Sequence, residues 1–322
     1  MKSVPLIIVG NVPPPIGGVR IHVARLCQWL EAKGIEYEFI AINPRSILKV
    51  LCCILRRQIV HLHLSNQALK LIFTVAGRLV LGRVIATQHR NLLRYGDARD
   101  WLAVLALRFA RKAIALNSES LSVMKRFGCD AVQLSAFIPQ LKPEILPKEI
   151  EGRIRVLRQQ SFKKIIATNA HKVNFDSNGC ELYGIRDLIR LCRERGWALI
   201  VSDPSGQYVK YVHDQDGPSN LDHVYFTEAP HSFSELVKHV DAVVRNTTTD
   251  GDSLSVHEAL VQGTQVWASD CVSRPQGVNL FEKLDGIDDA APNLASNYKA
   301  PSTIDDLVAL YQSVYSDGAG LR

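Results

Sequence analysis

The chain has 322 residues, 47 % of them hydrophobic and 22 % charged, which is the balance of a soluble globular protein long enough for two ordinary domains. Its formal net charge of +6 is unevenly spread: residues 1–145 hold 20 Lys and Arg against 8 Asp and Glu, a balance of +12, and residues 146–322 hold 18 against 24, a balance of −6. The most apolar stretch, 68–87, is broken by Lys70, Arg78 and Arg83, and a membrane span needs roughly 20 residues nearly free of such charges, so a buried helix and strand are expected there instead.

Residues 4–9 form a short apolar run behind Met1 and Lys2, too brief for a secretory signal, and read as the first strand. A Pro/Gly loop, 11–18, leads into a helix with Val23, Leu26 and Leu30 on one face and a stop at Gly34. Strands at 37–42, 59–64, 84–89, 113–116 and 131–134 then alternate with helices at 46–57, 67–81, 100–110 and 120–127. Pro139, Pro143 and Pro147 punctuate the chain before a charged segment, placing a domain boundary at 145/146. Beyond it come strands at 164–168, 198–202, 223–227, 242–245 and 266–269, helices at 184–195, 234–239 and 254–262, and a closing helix at 303–315. Such alternation predicts parallel sheets with helices on both faces, in an N-terminal domain 1–145 and a C-terminal domain 146–322. The seven cysteines, at 27, 52, 53, 129, 180, 192 and 271, sit in apolar segments without metal-ligand spacing, as free thiols of a reducing compartment do.

The segment 245–263, Arg-Asn-Thr-Thr-Thr-Asp-Gly-Asp-Ser-Leu-Ser-Val-His-Glu-Ala-Leu-Val-Gln-Gly, carries the clearest chemical pattern. A strand ends near Arg245, a polar loop follows, and a helix begins near Leu254. The free amides of a helix start suit a diphosphate, and Asp250 and Glu258 could accept hydrogen bonds from ribose or sugar hydroxyls. The same residues also read as an ordinary helix start, with Asp252 or Ser253 as N-cap and Ser255-x-x-Glu258 as a capping box. Asp250-Gly-Asp252 has the spacing of a divalent-metal pair, but its place at a late strand-to-helix turn argues against that use, and no metal is expected. Walker and Gly-x-Gly-x-x-Gly loops, serine elbows and zinc signatures are missing.

With Ala259, Gly263 and the following strand end Ala268-Ser-Asp270, Asp250-x7-Glu258 resembles the acidic-x7-acidic motif of retaining glycosyltransferase family 4, with Asp in place of the usual first Glu. Pro13-Pro-Pro-Ile-Gly-Gly18 is similar to that family's N-terminal Gly-Gly loop, and glycine suits close backbone approach to phosphate, although the pair also reads as a simple turn. His61 and His89, at strand ends, and Phe137-Ile-Pro139, leading into the linker, match further segments. The resemblance covers nearly the whole chain and implies a GT-B fold, two Rossmann-like domains with parallel sheets facing a central cleft. It places Gly17, Gly18, Ser253, Leu254, Ser255 and Glu258 around a nucleotide sugar, Asp250 at the sugar, and His89 near sugar and acceptor; a plain hydrogen-bonded strand-end role is the better reading for His61 and an equal alternative for His89. The family's phosphate-binding lysine is missing, Tyr183 standing in its place, so Lys172 or Arg245 is read as supplying the charge or as a solvated surface cation, and Asn169 is counted with them in the nucleotide-sugar set.

The implied reaction transfers a sugar, with retention, from a UDP- or GDP-sugar to a saccharide or polyprenyl-diphosphate-linked acceptor in cell-surface polysaccharide synthesis, without a further cofactor. A sugar-nucleotide epimerase and a non-catalytic nucleotide- or polysaccharide-binding subunit are the alternatives. Nucleic acid is not expected as a partner, since no recognisable module accompanies the basic residues. A cytoplasmic protein touching the anionic inner face of the membrane fits the basic first half. Helix 46–57, with Ile47, Leu51, Ile54 and Leu55 among Lys49, Arg56 and Arg57, is either that contact or a core helix with a basic rim.

Overall fold

The computed structural model describes residues 6–92, 98–176, 178–217 and 221–317. Contacts divide the chain into two compact units, one of Met1–Leu141 with Pro301–Arg322 and one of Lys142–Ala300. The second domain was expected to run to the C-terminus. Instead the closing helix belongs with the first unit, because its apolar stripe Ile304, Leu307, Tyr311 and Val314 is buried there and the Tyr311 hydroxyl lies 2.7 Å from His61 Nδ1.

Unit 1 contains a six-stranded parallel sheet of β1 (Leu6–Gly10), β2 (Tyr37–Ala41), β3 (Ile59–Leu62), β4 (Arg83–Gln88), β5 (Lys112–Ala115) and β6 (Ala131–Gln133) in the order β2-β1-β3-β4-β5-β6. Its helices are α1 (Gly18–Ala32), α2 (Ile47–Leu55), α3 (Gln67–Leu79), α4 (Ala98–Phe109) and α5 (Ser118–Arg126), joined by the closing helix α11 (Thr303–Asp317). Ile7, Val9, Val60 and Leu62 pack beneath α2 and α3 against Val50, Ile54 and Phe73. Helix 46–57 is thus mainly a core helix: Ile54 is fully buried, Ile47 and Leu51 pack partly against the core, and only Leu55 of the four named apolar residues is exposed. Its first residues are a 3-10 turn, Pro44–Ser46, capped by Asn43, because Pro44 suits the first position of a helical turn.

Unit 2 holds α6 (Lys148–Gln159), β7 (Lys164–Asn169), α7 (Ile185–Arg195), β8 (Trp197–Ser202), α8 (Gln207–Asp216), β9 (Val224–Thr227), α9 (Phe233–Leu236), β10 (Ala242–Arg245), α10 (Leu254–Val261), β11 (Gln265–Ser269) and β12 (Asn279–Phe281). All its strands are parallel, in the order β12-β11-β10-β7-β8-β9, the doubly wound order of a dinucleotide-binding fold. Successive residues serve opposite faces. Ile165, Ala167, Ala198, Ile200 and Val243 join one core, and Ile166, Leu199, Val201, Val244 and Trp267 the other. A parallel sheet covered on both sides therefore reads as an unbroken apolar run, which is why these strands were legible. Trp197 and Trp267 stack at 6.0 Å with their planes 15° apart.

Three elements were not anticipated. The charged segment after the prolines forms helix α6, on which Ile150, Ile154 and Leu157 keep helical spacing and are buried. Helix α8 buries Tyr208 and Val212, with Tyr211 packed partly against the same core, and β12 is three residues long.

Backbone shape makes one demand on side-chain size near the later site. Gly184 precedes α7 with φ +52°, and a Cβ there would collide with Asn246 Nδ2, whereas Gly196 has φ +68° and open space. Gly196→Ala should cost about 1–2 kcal/mol, the left-handed penalty alone, and Gly184→Ala about 1 kcal/mol more, because the Asn246 amide must swing away and give up its bond to the Gly184 carbonyl. Equal urea midpoints for the two variants would contradict this.

Candidate functional site

In unit 2 the strand order reverses between β7 and β10, and such a switch point is where open parallel sheets bind ligands at their carboxyl ends. Asn169 ends β7 and Arg245 ends β10. Arg245 Nη1 donates to the Asn169 backbone carbonyl at 3.1 Å and to Asn169 Oδ1 at 3.2 Å. Its Nε and Nη2 form a two-point pair with Asp250, at 2.8 and 3.1 Å. Arg274 Nη1 donates to the same carboxylate at 2.9 Å and Gly251 N at 3.1 Å, while Arg274 Nε donates to the Ser269 carbonyl at 3.0 Å.

Asp250 is thus saturated: four donors converge on its two oxygens, which leaves no lone pair for a sugar hydroxyl in this arrangement. Burial alone would raise its carboxyl, but the Arg245 and Arg274 charges and hydrogen bonds outweigh burial and hold it well below the usual carboxylate range. Burial likewise opposes the Arg245 charge, and Asp250 overcomes that and raises its affinity for the proton. Two guanidiniums against one carboxylate leave a net positive charge at the end of β10. Tyr183, standing where a lysine was expected, lies with its ring 5.0 Å from the Arg245 guanidinium carbon, a cation–π contact that covers the flat face of the arginine.

The other residues singled out from the sequence fall around this centre. Lys172 is exposed in the loop after β7. Ser253 occupies the N-cap position of α10 but its side chain makes no capping bond; its hydroxyl lies 3.0 Å from that of Ser255. Ser255 sits inside the helix, so the capping box expected of Ser255 and Glu258 is not formed, and the start of the helix is left to its backbone amides at Leu254 and Ser255. Glu258 is buried one turn into α10. The Asp250 and Asp252 carboxylates turn to different partners, since Asp252 Oδ1 lies 2.5 Å from His257 Nε2 and His257 Nδ1 lies 2.6 Å from the Tyr298 hydroxyl.

Arg274 was missed because it lies 24 residues beyond Asp250, in a loop that no local pattern connects to it. His231 was missed for the same reason: it reaches Ser202 Oγ, at the end of β8, at 3.0 Å, and its Nδ1 donates to the Ala229 carbonyl at 2.8 Å.

Unit 1 gathers four histidines near the carboxyl ends of its central strands. His22 Nδ1 donates to the Ala136 carbonyl at 2.7 Å, and Arg25 and Trp29 hold the carbonyls of Ile138 and Pro139, so α1 secures the segment 136–139. His61 is fully buried between Tyr311 and Thr87, each at 2.7 Å, the structural role favoured for it. His63 Nδ1 lies 3.1 Å from Nε2 of the half-buried His89, and the His22 and His89 rings are 5.3 Å apart. Lys70 is buried beside them, donating to the Thr87 carbonyl at 3.2 Å and to Gln88 Oε1 at 2.9 Å. Gly17 is the extended N-cap residue of α1 at φ −179°, and a Cβ on Gly18 would meet nothing, so the local fold does not itself require two glycines. Arg20 fastens the preceding loop through the carbonyls of Val12 and Pro14.

Burial pushes His61 down to about 3, with the charge of His22 adding to it; it also pushes His63 and His89 well below the ordinary histidine value, and Lys70 down to about 7.

Two outcomes follow from these charges. Asp250→Asn should lower unfolding stability at pH 7 by about 3–5 kcal/mol, because it leaves buried guanidiniums without their counter-charge; an unchanged thermal midpoint would contradict this. The buried histidines are neutral in the folded chain and protonate near 6.5 when unfolded, so the unfolded state binds more protons below that pH. Stability should therefore fall between pH 6.5 and about 3, the latter being the folded His61 value, by up to about 1.4 kcal/mol per pH unit for each histidine. Urea midpoints at pH 7.5 and pH 5 would measure it, with no drop at pH 5 as the contrary result.

No protein-family model matches the chain, and no curated protein matches it in sequence. Solved structures do. The protein Alr3699/HepE of Anabaena, in complex with UDP and glucose, superposes with a TM-score of 0.67 at 15 % identity, covering 98 % of each chain. A glycosyltransferase of Rickettsia africae superposes at 0.63 with 12 % identity, over 96 % of this chain and 98 % of that one. A sucrose-phosphate synthase of Thermosynechococcus elongatus superposes at 0.60 with 15 % identity, over 98 % of both. With two six-stranded parallel sheets in two Rossmann-like units, the chain has the GT-B fold.

Proposed function

We propose that the protein is a retaining glycosyltransferase that uses a nucleoside-diphosphate sugar. The observation that carries this reading is the carboxyl edge of the unit 2 sheet, where Asn169, Arg245 and the uncapped start of α10 meet at the switch point of a GT-B fold. The superposable Alr3699/HepE structures contain UDP-glucose or UDP with glucose, which supports a donor of that class.

In this reading the bond from the anomeric carbon to the diphosphate breaks and a new bond forms to an acceptor hydroxyl on the same face of the sugar. The acceptor proton passes to the leaving diphosphate. Negative charge growing on that diphosphate is met by the amides of Leu254 and Ser255, by the exposed Lys172 and by the net positive charge of the Arg245–Asp250–Arg274 group. Asp250 then acts mainly by holding the two arginines, and Glu258 takes the ribose. For Gly17, Gly18 and His89 of unit 1 the reading keeps the roles that the family 4 resemblance implies, phosphate contact for the glycines and sugar and acceptor contact for His89. A saccharide or polyprenyl-diphosphate-linked acceptor in surface-polysaccharide synthesis fits the basic unit 1 and the family 4 motif.

Thermal shift against UDP, GDP and their sugars should show one nucleotide series that stabilises the protein, by about 2.7 kcal/mol at a hundredfold excess over its dissociation constant. Lys172→Ala should weaken that shift by roughly tenfold in apparent affinity, the loss of one charge-assisted contact. NMR of the product should show the donor's anomeric configuration kept. Isomerised sugar nucleotide from donor alone would favour an epimerase, and binding without turnover for any acceptor would favour a binding subunit.

A further inference from the structure

We infer that Tyr298, His257 and Asp252 form a positioning chain for the loop before α10, which keeps the Leu254 and Ser255 amides bare for the donor's diphosphate; what those amides meet rests on the transferase reading. The Tyr298 hydroxyl lies 2.6 Å from His257 Nδ1, and His257 Nε2 lies 2.5 Å from Asp252 Oδ1. The side chains of His257 and Asp252 are only 6 % and 12 % exposed, so these bonds are largely shielded from water. The direction of the chain follows from its acceptor end. An ionised carboxylate only accepts, so the imidazole proton sits on Nε2, and Nδ1 is left to accept from the Tyr298 hydroxyl. Burial, with the nearby Asp252 charge adding to it, pushes the Tyr298 hydroxyl up, so it stays protonated and donates.

The two halves of the loop are anchored in different directions. Its first half is tied sideways: Thr247 N donates to Ser269 Oγ at 3.2 Å, Thr248 N donates to the Leu182 carbonyl at 3.1 Å, and Asp250 is held by Arg245 and Arg274. Asp252 is turned instead onto α10 itself, five residues ahead. Aspartate and serine at such a place ordinarily cap a helix by taking the amides of its first turn. Here Ser253 makes no capping bond and Asp252 Oδ1 is committed to His257. A loop shaped only for helix stability would turn one of them onto those amides. One shaped to offer the amides to an anion leaves them bare and needs another fastening. His257 supplies it from within the helix that carries the amides. Tyr298 comes from outside the loop: it follows the 3-10 turn Ala295–Asn297, donates its N–H to the Ala295 carbonyl at 3.0 Å, and packs against the core that holds Leu260 and Ala295.

Hydrogen exchange of the full chain, read by mass spectrometry over residues 246–258, and calorimetric titration with UDP and with GDP test the chain by separate routes. Tyr298→Phe keeps the ring and its packing and removes only the hydroxyl. It should speed exchange over 246–258, leave β7 and β10 as they are, and weaken nucleotide binding by about five- to tenfold, the net contribution of one hydrogen bond. Asp252→Ala should do the same, and the double variant should bind no more weakly than Asp252→Ala alone, because Tyr298 acts through Asp252. His257→Gln, which retains one donor and one acceptor, should stay closer to the parent's affinity than His257→Leu. Parent-like exchange and affinity in Tyr298→Phe would overturn the inference. So would additive losses in the double variant, which would make Tyr298 a packing residue only. A parent that binds neither nucleotide overturns the donor reading and the diphosphate part of this inference, while exchange still decides the positioning of the loop.

Discussion

Parallel pairing is the constraint on which the rest depends. When every strand of a sheet points the same way, each must be followed by a crossover, and all the carboxyl ends gather along one edge. Both six-stranded sheets obey this. The helices cover both faces, so the strand interiors are mostly apolar, with His61 and Thr87 as a hydrogen-bonded exception in unit 1. Polar residues are consequently driven to the edges. In unit 2 the carboxyl edge collects Asn169, Ser202, Arg245 and Ser269; in unit 1 it collects His63, Gln88 and His89.

The two edges handle buried polarity by different means. In unit 2 a saturated carboxylate offsets two guanidiniums. Such a group stabilises mainly against its own disruption, since the desolvation cost has already been met by close pairing and by the carbonyls of Asn169 and Ser269. In unit 1 the polar groups are kept neutral. The histidines bond to a carbonyl, to hydroxyls and to one another, and burial suppresses the protonation of His61, His63 and His89. A charged, geometrically rigid centre suits the holding of an anion. A neutral imidazole pair suits hydrogen bonding to uncharged hydroxyls, the chemistry of a sugar or an acceptor.

Local sequence carried most of the fold. Strands such as β7 and β8 have continuous apolar runs at 165–167 and 197–201, and helices such as 18–32 repeat their buried residues at helical spacing. Helix α6 was equally periodic at Ile150, Ile154 and Leu157 but was masked by its charged exposed side. Of the site, the loop after β10 was legible, because a strand end, a polar loop and a helix start follow one another within the chain. The role of Asp250 was not. From sequence it reads as an open carboxylate, and only the approach of Arg274 shows it to be fully engaged.

The sequence by itself determined the alternation, the parallel sheets and the segment that bears the candidate donor site, because these rest on periodicities of two and of three to four residues that neighbouring positions impose on one another. Tertiary structure alone decided the destination of the closing helix, the capture of Arg245 by Asp250 and Tyr183, and the gathering of His22, His61, His63 and His89. Each joins residues from separate strands and loops. Their chemistry depends on desolvation and distance, and neither exists until the chain has packed.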